Sequence, residues 1–149
     1  MKRRDVLAAG AGLAMLALVR PVAATPADMA AAVVAFTGGV APREGKVRFD
    51  IAQLIDNGNA VPVTVAVESA MTAADHVAAI AIFNEKNPQT DVAVFTLGPR
   101  AGKAEVSTRI RLATSQRLIA VARMNDGSCW SKSVDVIVTL AACIEGEAP

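Results

Sequence analysis

Three side chains in this sequence have chemistry of their own to offer: the thiols of Cys129 and Cys143 and the imidazole of His76. The placement of Cys143 suggests use. It follows the strand-like alternation Val134, Val136, Val138, Leu140 and stands in the run Ala141-Ala142-Cys143-Ile144-Glu145-Gly146-Glu147-Ala148-Pro149, past the last regular element. A thiol on a mobile arm can be carried to other molecules. The competing readings are a small residue that closes a strand, or half of a disulfide. Nothing beside Cys143 activates it strongly. An ordinary thiol pKa of about 8.5 leaves only a few per cent thiolate near neutrality, and Glu145 and Glu147 lower that fraction further. Activation must then come from a partner's electropositive pocket, which suits a carrier better than an enzyme.

Cys129 follows the turn signal Asn125-Asp126-Gly127-Ser128 and precedes Trp130. If one strand joins the two cysteines, at roughly 3.3 Å per residue they lie more than about 40 Å apart, whereas a bridge needs Cα atoms within about 7 Å. Cys129 is therefore expected to be a packed or surface thiol with no catalytic role. His76, beside Asp75 at the start of a strand, reads as structural. Met71, His76, Met124 and Cys129 have the soft donors that Cu(I) favours, without ligand spacing. No Gly-rich phosphate loop, Ser-His-Asp set or CxxC appears. Glu145 and Glu147 sit on the arm, where no fold holds them at a catalytic separation. No catalytic, cofactor-binding or metal-binding residue is expected.

The elements that must position Cys143 can be read in order. Thr25-Pro26-Ala27-Asp28 starts a helix that runs to Phe36 and stops at Gly38-Gly39. Val47, Phe49 and Ile51 alternate with polar residues as a first strand. Val61 to Val67 form a second, beyond the turn cluster Asp56-Asn57-Gly58-Asn59, with Pro62 confining that end to an edge or a strand start. Further strands are expected over 76–83, 91–97, 104–112, 118–124 and 130–140, the last two forming a hairpin across Asp126-Gly127. Seven strands without intervening helical patterns argue for an immunoglobulin-like antiparallel β-sandwich with a short N-terminal helix and a mobile C-terminal tail.

Composition agrees. Of the 149 residues, 53% are hydrophobic, yet there are one Trp, four Phe and no Tyr, so one core of Val, Ile, Leu and Ala is expected, which suits strands. Residues 1–24 read as an export signal: Lys2-Arg3-Arg4, an uncharged run from Val6 to Val19 too short to span a bilayer, and the small-residue site Val22-Ala23-Ala24. The paired arginines favour the twin-arginine route, which carries folded cargo to the periplasm. Removing Lys2, Arg3, Arg4, Arg20 and Asp5 from 15 basic and 14 acidic residues leaves 11 and 13, a net charge of about −2. No basic stripe with interleaved aromatics offers a nucleic-acid platform. The expected organisation is a signal over 1–24, one domain over 25–140 and a carrier tail over 141–149.

The chain resembles the SoxY family, the sulfur-carrier subunit of the thiosulfate-oxidising system. The resemblance rests on Phe36-Thr37-Gly38-Gly39, Asp56-Asn57-Gly58-Asn59-Ala60-Val61-Pro62-Val63, His76-Val77, Ile82-Phe83-Asn84-Glu85-Lys86-Asn87-Pro88, Val106-Ser107-Thr108-Arg109-Ile110-Arg111-Leu112-Ala113, Asp126-Gly127-Ser128 and the C-terminal cysteine. It implies an immunoglobulin-like domain that pairs as a heterodimer with a SoxZ-like subunit lacking its own signal. It also implies that Cys143 is conjugated to thiosulfate by a c-type cytochrome enzyme, then presented to a sulfate-releasing hydrolase and a sulfane dehydrogenase. Tethering keeps reactive sulfur from diffusing away and lets one arm visit several active sites. The four residues from Thr139 to Cys143 would give it a reach of at most roughly 14 Å. The arm departs from the family pattern: the glycines that flank the family's cysteine are here Ala141-Ala142 before it and Ile144-Glu145-Gly146-Glu147 after it, a stiffer arm with a wider tip. The rival readings are an immunoglobulin-like interaction module with an inert Cys143 and a soft-metal chaperone.

Overall fold

The structure, a computed structural model, describes residues 23–142. Residues 1–22 of the expected export signal and residues 143–149 of the expected tail, Cys143 among them, lie outside the described residues. Helix α1 spans Pro26–Thr37 and is set as its sequence requires. The Thr25 hydroxyl accepts from the Asp28 amide while the Asp28 carboxylate accepts from the Thr25 amide. Pro26 occupies the first turn, and Gly38 closes the helix at φ 66°.

Nine strands follow among the described residues: β1 (Arg43–Glu44), β2 (Val47–Asp50), β3 (Leu54–Ile55), β4 (Val61–Val67), β5 (Val77–Asn84), β6 (Asp91–Thr96), β7 (Glu105–Ile110), β8 (Gln116–Met124) and β9 (Cys129–Val138). One sheet has the order β1-β9-β8-β5-β6, with β3 also pairing β9; the other is β2-β4-β7. The seven expected strands are all present, and the two facing sheets form an immunoglobulin-like sandwich. The two additional pieces, β1 and β3, are two residues each and pair with β9 in parallel, a departure from the all-antiparallel expectation. Two-residue segments carry no periodic pattern, so their pairing is set by β9. Between β1 and β2 the chain crosses from one sheet to the other, and Gly45 (φ 119°) and Lys46 (φ 56°) supply the left-handed conformations of that step. Pro62 pairs with Arg109 on its β7 side, while β2 joins β4 only from Thr64 onward, so its missing amide proton falls where β4 has a single neighbour.

The inner faces alternate as a pleat demands. Val61, Val63, Val65 and Val67 from β4 meet Ile80 and Ile82 from β5 and Leu118 and Ala120 from β8 in one core. Each such aliphatic side chain, fully removed from water, contributes about 1.5–3 kcal/mol. Strand β5 is buried on both faces, because its outward Ala81 and Phe83, with Val121 of β8, receive Val33 and Phe36 of α1. Phe36 and Phe83 meet edge-to-face at 5.8 Å, and Arg123 donates to the Phe36 carbonyl at 3.0 Å. No helix among the described residues is long and apolar enough to cross a membrane.

Candidate functional site

The site is the end of the sandwich at which β9 delivers the chain toward Cys143. Beyond Val138 the backbone is tied down at Thr139, Leu140 and Ala142. The Thr139 amide donates to the Ile55 carbonyl at 2.9 Å, and its hydroxyl donates to the Asp56 carbonyl at 3.1 Å. The Gly58 amide then donates to the Leu140 carbonyl at 2.8 Å, the Leu112 amide to the Gly58 carbonyl at 2.8 Å, and the Ala142 amide to the Leu112 carbonyl at 3.0 Å. Ser115 braces the same run through its hydroxyl, which accepts from the Val138 amide at 2.8 Å. Ala142 is only 8% exposed.

These bonds correct the four-residue reach expected from Thr139, since residues 139–142 belong to the domain and free length can begin only after Ala142. The turn Asp56-Asn57-Gly58-Asn59 is the seat. A Cβ on Gly58 would collide with the Leu112 carbonyl and lie 3.0 Å from the Ala142 nitrogen, so a glycine there is a matter of space.

A second frame stands beside this seat. Asn84, fully buried, accepts from the amides of Lys86 and Asn87 and donates to the carbonyls of Gln89 and Thr90, closing the loop between β5 and β6 on itself. Asn87 reaches across to the chain after β7. It donates to the Arg111 carbonyl at 2.8 Å and accepts from the Ala113 amide at 3.0 Å and from Gln116 at 2.8 Å. The result is a groove of about 620 Å³ between the edge strands β6 and β7. Asp91 and Val92 line one side, Arg109 and Arg111 the other, and Ala142 is part of its wall.

The remaining candidates lie elsewhere. Cys129 begins β9, roughly 30 Å of strand away from Val138, as a free thiol that is 1% exposed and sits beside Arg123 across β8. Burial pushes its pKa up, Arg123 opposing and Asp126 adding to the rise. His76 Nδ1 is 3.0 Å from the Thr72 carbonyl, and its backbone amide donates to Asn125. Met71 and Met124 are buried in the core. Among the described residues no group of three His, Cys, Asp or Glu side chains is placed to hold a metal ion. Asn84, Asn87, Gln116, Gly58 and the two arginines were not singled out as site residues by the sequence. Asn87-Pro88 signals only a turn; the partners of Asn84 lie within that loop, while those of Asn87 and Gly58 are distant in the chain.

The described chain is an immunoglobulin-like sandwich whose turn at Gly58 holds the run up to Ala142. The chain belongs to the SoxY family: the profile of the sulfur oxidation protein SoxY matches residues 33–143. Among solved structures, the sulfur carrier protein SoxY from Chlorobium limicola f thiosulfatophilum superposes with a TM-score of 0.65 at 29% identity, covering 78% of this chain and all of that one. The superoxide reductase (neelaredoxin) of Ignicoccus hospitalis gives a TM-score of 0.57 at 14% identity, covering 78% of this chain and 95% of that one. A mutant of the Archaeoglobus fulgidus enzyme, in the reduced form, gives 0.51 at 15%, covering 65% and 93%. The likeness to the reductases is one of fold alone. No curated protein sequence matches the chain. Family and fold together support a sulfur-carrier role.

Proposed function

We propose that this protein is a periplasmic, non-catalytic carrier that holds thiosulfate-derived intermediates covalently on Cys143 and presents them to partner enzymes. The observation that carries the reading is the seat built by Gly58 and Leu112, which delivers the chain at the sandwich end one residue before that cysteine; the family match runs to the cysteine itself. Loading joins the Cys143 sulfur to the sulfane sulfur of thiosulfate, giving Cys143–S–S–SO3⁻. The thiol proton is released and two electrons pass to a c-type cytochrome enzyme. Water then cleaves the terminal S–S bond on a sulfate-releasing hydrolase, leaving a persulfide on Cys143 and freeing sulfate, and a sulfane dehydrogenase oxidises the remaining sulfur. A SoxZ-like subunit completes the carrier as a heterodimer. The twin-arginine signal of residues 1–24 supports export of the folded pair.

The test is intact-protein mass spectrometry of the mature chain from thiosulfate-grown cells, before and after reduction, with both cysteines mapped. Reducible adducts are expected on Cys143 alone, and none on a Cys143→Ser variant that still folds. Adducts that persist on that variant, or a Cys143 that is unmodified and resists alkylation in the folded protein, would overturn the assignment.

A further inference from the structure

Ala142 is fixed to Leu112 and forms part of the groove wall, so the chain leaves the described domain at the groove mouth, one residue and about 3.8 Å of backbone before Cys143. Two arginines are among the residues that line that groove, Arg109 at the end of β7 and Arg111 just beyond it. The three ion pairs among the described residues are Arg48 with Asp50, Arg48 with Glu105 and Arg117 with Asp135, so neither groove arginine is engaged by a carboxylate there. Asp91 is the one acidic residue of the lining, against two cations. Asn84 donates to the Gln89 and Thr90 carbonyls and Asn87 to the Arg111 carbonyl, so these two side chains shape the groove through the backbone. The two arginines bring positive charge in a planar, forked form, the geometry that matches a sulfonate or another tetrahedral oxyanion.

We propose that the groove between β6 and β7 is an oxyanion subsite, in which Arg109 and Arg111 hold the sulfonate end of the intermediate borne by Cys143. The ligand identity rests on the carrier reading given above; the charge selectivity of the groove does not. A free thiol is neutral and offers the arginines nothing, whereas a thiosulfonate is a permanent anion with three acceptor oxygens. The groove therefore distinguishes a loaded carrier from an empty one: loading draws the adduct against the domain, and a partner enzyme must present a stronger anion site to take it. Incoming thiosulfate, itself an anion, is drawn to the same place.

Two thiol reagents of similar size and opposite charge test this without any biological loading. Sulfonatoethyl methanethiosulfonate (anionic) and trimethylammonioethyl methanethiosulfonate (cationic) each form a mixed disulfide with a thiolate and release methanesulfinate. Their rates at Cys143 are measured on the full mature chain at low salt, with peptide mapping to separate Cys129. The ratio of anionic to cationic rate is expected to fall at least about fivefold in Arg109→Gln/Arg111→Gln, and to fall in the wild-type protein as salt is raised. A role of the arginines in folding alone would move both rates together and leave the ratio unchanged, and that result would overturn the proposal. Loss of the ratio change sinks the subsite while leaving the carrier intact. A ratio that responds as expected, in a protein found without sulfur adducts in cells, would retain the anion site and remove the carrier.

Discussion

At the scale of single residues, Gly58 decides more than its type suggests. Its amide and carbonyl bond Leu140 and Leu112, and Leu112 in turn bonds Ala142, so one residue with no side chain links the turn after β3, the chain after β7 and the run toward Cys143. Gly58→Ala places a methyl group against the Leu112 carbonyl, and the backbone there has no flexible end to move aside. The expected cost is about 1–3 kcal/mol of stability. The local sign is faster hydrogen exchange at the Ala142 amide than at amides in the middle of β8. Unchanged exchange at Ala142 would mean that the seat tolerates the methyl group and that the clasp is held elsewhere. The sequence announced Cys143 through its position after an alternating strand, and Gly58 only as part of a turn. The clasp joins residues distant in the chain, Gly58 with Leu112 and Leu140 and Leu112 with Ala142, and no local pattern records such a pairing.

At the scale of elements, the strands were legible wherever one face is wet and the other dry. Val61 to Val67 and Val106 to Ile110 show it, because the pleat writes its period directly into residue type. Strand β5 reads differently: its near-continuous apolar run reflects burial on both faces, the outer one under α1. The β8–β9 hairpin was equally legible, since Gly127 sits at φ 86° and Asp126 accepts from both the amide and the hydroxyl of Ser128, at 2.9 and 2.7 Å. Those bonds from Ser128, the hydroxyl first and the amide second, hold the Asp126 carboxyl below its usual range. A carboxylate whose folded pKa is depressed adds stability that is present above its unfolded pKa and lost as pH falls through the folded one. Asp126→Asn keeps an acceptor but cannot titrate. Below about pH 4 its stability should fall less steeply with acid than that of the wild-type protein, measured by denaturant melts across that range. Parallel acid limbs would show that the turn carboxylate contributes nothing to the pH response.

At the scale of the whole molecule, the surface next to the clasp is the part that the isolated chain leaves unexplained. Leu54 and Ile137 lie directly opposite each other across the parallel β3–β9 pair, so their side chains share a face. They are 62% and 61% exposed, and Leu140, three residues on, is 60% exposed. Leu54 and Ile137 stand on the strand pair that anchors Thr139, and Leu140 just beyond it, hence beside the route to Cys143. If the heterodimer proposed above uses this face, the SoxZ-like subunit would cover apolar side chains that water now meets and would form one wall of the approach to the thiol. Charged residues at the centre of such a contact would be buried without partners, a cost of several kcal/mol in association. The same residues in the free chain would remain solvated and cost little. Leu54→Glu/Ile137→Glu is therefore expected to abolish co-purification with the partner subunit while shifting the thermal midpoint of the isolated chain by no more than a few degrees. Retained pairing would move the interface to another part of the sandwich. A collapsed midpoint would show that the two side chains support the fold despite their exposure. The intended result, lost pairing in an intact domain, ties the partner to the strand that leads toward Cys143.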